Sequence, residues 1–88
     1  MNESEALREI RRVARTGLIV LSPHAQRRME MRNVQFSEVR HALRNATTVT
    51  RSASDHASDW TATGPDLAGE ELTAAVILRG GVLVVTVY

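Results

Sequence analysis

Three features of the 88-residue sequence predict a single α+β domain, with helices first and an antiparallel sheet after them. Through residue 45, apolar side chains recur at helical spacing, interrupted at Gly17, Pro23 and Asn33. From residue 46 the chain becomes β-branched and alternating. Gly80-Gly81 then sits between two apolar runs, which is a hairpin signal because both positions of a two-residue turn ask for positive φ. The expectation is N-terminal helices packed on a sheet of three to four strands, all within one domain spanning residues 1–88.

The first helix is predicted over residues 4–15. Leu7, Ile10 and Ala14, flanked by Ala6 and Val13, form one apolar stripe. Ser4 is the expected cap and Gly17 follows the end. Glu5 and Glu9 come early, and Arg11, Arg12 and Arg15 late, as the helix dipole prefers. Residues 18–21 read as a short extended piece. Ser22-Pro23 then starts a second helix, because Ser caps and Pro fits the first turn, where its missing N–H costs nothing. That helix is expected over Pro23–Arg32, with Asn33 as a left-handed stop. Val34 and Phe36 bridge to Ser37, which opens a third helix over Glu38–Arg44. Its apolar face is Val39, Ala42 and Leu43, and Asn45 closes it. Phe36 is expected to pack the junction between helices.

The strand half divides as TTVTRSA, the polar loop SDHASD, WTATG, the turn-rich PDLAGEE, and two apolar strands, Leu72–Arg79 and Val82–Tyr88. Trp60 is expected in the core. If Arg79 and Val82 flank a two-residue turn, Leu78 faces Leu83, Val76 faces Val85 and Ala74 faces Val87 on one apolar side. Ile77 with Val84, Ala75 with Thr86, and Thr73 with Tyr88 then make the other side. That side grows polar towards the end of the strand, where a site or a plain solvent face is expected.

Composition excludes several classes of function. There is no cysteine, so disulfides, thiolate nucleophiles and cysteine zinc sites are out. No His/Asp/Glu set has metal-ligand spacing, and there is no phosphate-cradling glycine loop or nucleophile elbow, so neither metal nor cofactor is expected. The longest apolar runs, AAVIL and VLVV, cannot span a bilayer. With no apolar leader either, a cytoplasmic location is expected. A domain of this size without a disulfide buries surface inefficiently, which points to a partner or a homodimer. All eleven basic residues are arginine. Residues 1–44 hold nine of them against five glutamates, a net +4, and residues 45–88 carry −3. Arginine favours bidentate contacts to phosphate or carboxylate, although a solvated helix surface explains the same bias.

His24, Arg28 and Arg32 are the most unusual group, spaced i, i+4, i+8 along one side of the second helix, with Arg27 beside them. Like charges at this spacing repel, so they imply an anionic ligand or acidic partners. Glu38, Asp55, Asp59 and Asp66 are the candidates for the latter. The first turn of a helix disfavours positive charge, so a neutral His24 able to accept a proton is expected. Beside it, Arg28 would hold a phosphate. The plainer alternative is that His24 only hydrogen-bonds backbone at the helix entry. His41 and His56 are weaker candidates. Tyr88 offers a phenol as proton donor or a ring for stacking, or serves as an amphipathic end cap.

The stretch SPHAQRRMEMRNVQFSEVRHAL, with His24-Ala25, Arg28-Met29, Arg32, Val34 and Glu38-Val39, resembles the opening of a bacterial domain-of-unknown-function family. The closing VLVVTVY resembles that family's last strand. The resemblance spans about residues 15–88. It implies kinship with the RelE/barnase-like superfamily of small ribonuclease toxins, hence a curved antiparallel sheet under helices. It further implies active-site roles for His24 and Arg28, supporting roles for Arg32, Thr86 and Tyr88, and a cognate antitoxin of zinc-finger (as in the MqsR/MqsA pair) or helix-turn-helix type.

Two functions therefore stand as expectations. One is a metal-independent endoribonuclease toxin cleaving RNA through its own 2′-hydroxyl, with His24, Arg28 and Tyr88 catalytic and Arg27, Arg32 and Thr86 holding RNA. The other is a non-catalytic module that docks nucleic acid or an acidic protein on its arginine face. A self-associating structural protein, covering the edges of the final hairpin, is a third.

Overall fold

A computed structural model describes residues 1–52 and 58–88. Three helices, α1 (Glu3–Thr16), α2 (Pro23–Arg32) and α3 (Phe36–Arg44), alternate with and precede five strands: β1 (Ile19–Leu21), β2 (Thr48–Arg51), β3 (Trp60–Pro65), β4 (Glu71–Leu78) and β5 (Val82–Val87). The strands form one sheet in the order β1-β5-β4-β3-β2. The mixed α+β class is as expected. The strand count is five rather than three to four, because the short piece at residues 19–21 joins the sheet, running parallel to β5. A parallel partner from the far end of the chain has no local sequence signal. The other four strands form the expected antiparallel meander.

Local chemistry explains the helix ends. α1 is capped by Asn2, not Ser4: the Asn2 side chain accepts from the Glu5 N–H, and the Glu5 carboxylate accepts from the Asn2 N–H. Ser22 caps α2 by accepting from the Ala25 N–H, and Asn33 ends it in the left-handed region at φ 56°. α3 starts two residues earlier than predicted. Gln35 and Glu38 close its first turn, which leaves Ser37 inside the helix.

α1 and α3 cover one face of the sheet. Ile10, Val39 and Leu43 from the helices meet Val76, Val82, Val84 and Val87 from the strands, all essentially inaccessible. Each such burial is worth about 1.5–3 kcal/mol. Trp60 joins this core, with the Arg51 guanidinium 4.5 Å above its ring centroid. Phe36 does not pack the helix junction; it stays 38% exposed, under the Arg40 guanidinium. α3 approaches β3 so closely that a Cβ on Gly64 would lie 2.0 Å from the Ala42 carbonyl oxygen, so only glycine fits there. His41 fastens the same contact, its Nδ1 lying 2.9 Å from the Pro65 carbonyl oxygen.

The final hairpin departs from the expected register near its turn. Leu78 pairs with Val82, so the turn has three residues, Arg79 to Gly81, rather than two. Only Gly80 takes positive φ; Gly81 is required because a Cβ there would come 2.9 Å from the Leu18 carbonyl oxygen. Val76 consequently pairs with Val84, not Val85, and Ile77 with Leu83. A β-bulge at Val85 then absorbs one residue, and Ala75–Thr86 and Ala74–Val87 pair as predicted. The bulge has a directional effect. Strict alternation from Val82 and Val84 would aim Thr86 and Tyr88 at the helices. With Val85 as the extra residue, Val87 enters the core, and Thr86 and Tyr88 turn to the face that no described helix covers.

Candidate functional site

β1 is only three residues long, so it leaves the rest of the β5 edge without a strand partner. α2 takes over that edge. The Ser22 N–H donates to the Val84 carbonyl at 2.9 Å, and the Ser22 hydroxyl donates to the Val85 carbonyl at 2.7 Å while capping the helix. One residue thus ends β1, starts α2 and holds the bulge. Two turns on, Arg28 Nε donates to the Val87 carbonyl at 3.3 Å. Ala25 and Met29 are the buried side chains of α2, and most of the remaining surface of the helix is exposed.

This docking brings Arg28 to the strand that carries Thr86 and Tyr88. Arg28 and Thr86 are half-buried, and Tyr88 is 46% exposed, with its N–H on the Thr73 carbonyl. His24 is exposed one turn before Arg28 on the same side of α2. No hydrogen bond within the described residues ties its ring to backbone, which removes the plain capping role there. Arg32 continues the row one turn beyond Arg28. Arg27 lies on the neighbouring strip of the helix, and nothing described ties it or Arg32 to β5.

Three of the four acidic partners weighed for these arginines are engaged elsewhere. Glu38 closes the first turn of α3, Asp59 pairs with Arg79, and Asp66 accepts from the Ala68 and Glu70 N–H groups of its own turn. Asp55 and His56 lie outside the described residues. Among the described residues, no carboxylate comes within ion-pair distance of Arg27, Arg28 or Arg32. Arg28 is held through Nε by a neutral carbonyl, so its charge and its terminal amino groups remain for an anion.

The face beside this site is rich in hydroxyl groups. Thr48, Thr63 and Thr73 lie in register across β2, β3 and β4, and the Thr63 and Thr73 hydroxyls are 2.9 Å apart. Thr50, Thr61, Ala75 and Thr86 form the adjacent row. The Ser52 hydroxyl links Ser58 to Thr61. Sequence reasoning missed the double role of Ser22 and the bulge. The two-residue turn assumed for the hairpin put Val87 inward and Thr86 and Tyr88 outward without a bulge, so nothing in the alternation called for one.

The chain matches the model of a domain of unknown function, DUF4258, over residues 21–88. No curated protein matches the chain, and no solved structure matches it.

Proposed function

The chain belongs to the DUF4258 family, and from that premise we propose that it is an endoribonuclease that needs no metal. The observation that carries this reading is the docking of α2 on β5. It places a fixed guanidinium without a described carboxylate partner on the strand that presents Thr86 and Tyr88, with His24 one turn away. RNA supplies its own nucleophile. His24 takes the proton of a 2′-hydroxyl as the 2′-oxygen bonds to the adjacent phosphorus. Arg28 stabilises the charge gathering on the non-bridging oxygens. Tyr88 gives its phenolic proton to the departing 5′-oxygen as the P–O5′ bond breaks, leaving a 2′,3′-cyclic phosphate and a 5′-hydroxyl. His24 then returns the proton it took, by way of solvent, to the phenolate. Thr86, Arg27 and Arg32 hold the flanking backbone. In this reading the fold is a RelE/barnase-like toxin with a cognate antitoxin in a bacterial cytoplasm. Helices stacked on a sheet whose β2–β5 strands are antiparallel support that placement, and a small zinc-finger or helix-turn-helix frame beside the gene is its simplest check.

The test is cleavage of varied single-stranded RNAs in excess chelator. Wild type is expected to yield cyclic-phosphate ends, and His24→Ala and Arg28→Ala to lose about a hundredfold or more in rate. RNA left intact by well-folded wild type, or cut equally by His24→Ala, overturns the reading.

One observation favours a second reading, a non-catalytic docking module: within the described residues nothing orients the His24 ring, as a general base ordinarily requires. That module predicts binding unchanged in His24→Ala and weakened in Arg28→Ala with strong salt dependence.

A further inference from the structure

α1 carries four of the eleven arginines and lies outside the residues that the family model covers. Arg12 is paired with Glu9, whereas Arg8, Arg11 and Arg15 share another face of the helix with Ser4 and Leu7. These five residues line an open depression of about 330 Å³. Arg11 is anchored as Arg28 is: its Nε donates to a main-chain carbonyl, that of Ala46, at 2.7 Å. Its terminal amino groups make no hydrogen bond among the described residues. Among the described residues no carboxylate lies within ion-pair distance of Arg8, Arg11 or Arg15. The three guanidinium-bearing positions climb α1 in steps of about 4.5 and 6 Å at ~1.5 Å per residue.

We infer that this row is a second RNA contact, gripping the phosphate backbone away from the cleaved link. The inference rests on the RNA reading above. Three features select this occupant. A row of positive charges matches a linear polyanion better than a single small anion. One of the three is fixed before binding, so less side-chain freedom is lost on contact. The lining offers one apolar side chain, Leu7, whereas a protein interface centres on a desolvated apolar or aromatic anchor. The place is also separate from the α2 site. Ser4 and Leu7, at the start of the depression, also lie beside β2, and β2 is three strand spacings, about 14 Å, from β5. Only an RNA several nucleotides long reaches both.

Fluorescence anisotropy of a labelled single-stranded 20-nucleotide RNA tests this in a His24→Ala background, which keeps the RNA intact. Combined Arg8→Gln, Arg11→Gln and Arg15→Gln should weaken binding at least tenfold at low salt. It should also flatten the slope of log affinity against log salt by about 2, since each phosphate contact on a single strand contributes about 0.7. Arg8→Gln with Arg15→Gln keeps the Arg11 anchor and should flatten it by about 1.4. Thermal melts establish that both variants are folded. Unchanged affinity in the folded double variant overturns the inference. So does polyglutamate that displaces the RNA as well as unlabelled RNA does, since that marks a surface for acidic protein. Cleavage of a dinucleotide by wild type reports separately on the α2 site, so the enzyme reading can fail while the anisotropy still decides this one.

Discussion

α2 and α3 sit on the same sheet but are attached in opposite ways. α3 buries Val39, Ala42 and Leu43 and comes so near β3 that Gly64 can carry no side chain. α2 buries only Ala25 and Met29 and is held by polar bonds from Ser22 and Arg28 to the carbonyls of β5. Close apolar packing spends a helix surface on stability. Attachment through main-chain carbonyls leaves the side chains of α2 available, and that is where His24 and the arginine row stand. The division between a helix spent on packing and a helix that keeps its polar side chains in solvent follows from this contrast.

The contrast can be broken most sharply at α3. Gly64→Ala sets a methyl against the Ala42 carbonyl and should cost about 3 kcal/mol or more, read by denaturant unfolding. A cost below about 1 kcal/mol would mean the helix can simply lift away. Deleting Val85 comes next. It should turn Thr86 and Tyr88 inward and Val87 outward and lower the melting temperature by more than about 10 °C, because it exposes a core valine and buries two hydroxyl groups. An unchanged melting temperature would show that the bulge is dispensable. Ser22→Ala removes both a cap and a bond to the bulge, and should cost about 1–2 kcal/mol, with Ser22→Thr restoring most of it. A loss equal to that of an ordinary surface substitution would separate α2 from β5.

The smallest effect is expected at the exposed pair on α1. The hydrogen bond from Arg12, and then its charge, holds the Glu9 carboxyl below its ordinary value. A depressed carboxyl stabilises the fold above its unfolded-state pKa, and that contribution fades as pH falls through the folded-state pKa. The pair lies at the helix surface, open to solvent and salt, so Arg12→Ala should leave acid unfolding indistinguishable from wild type. A measurable shift towards neutral pH would give this surface pair more weight than its setting warrants.

Elements governed by neighbours in the chain were legible from residues alone. Ser22-Pro23 and Asn33 bound α2 where local capping chemistry places them, and Val39, Ala42 and Leu43 face the core as their spacing implies. Partnerships between distant residues were not legible. The β1–β5 pairing joins strands more than sixty residues apart, and its hydrogen bonds are between backbones, which carry no residue signature. The hairpin turn was misjudged because Gly80-Gly81 suits a two-residue turn, while the approach of the Leu18 carbonyl, invisible locally, is what requires Gly81. His24, Arg28 and Arg32 stood out by charge and spacing. The carbonyls that fix Arg28 and Arg11 did not, because any backbone oxygen can accept and only the fold decides which one lies near.

The bond from Ser22 to Val85 spans 63 positions, and that from Arg28 to Val87 spans 59. During synthesis, α2 is therefore made long before the strand that seats it. A ribosome-borne chain can finish its helices and still hold no ordered arrangement of His24, Arg28 and Tyr88. The seating of α2 on β5 thus waits until residues 84–88 emerge, and a product cut short of them lacks it.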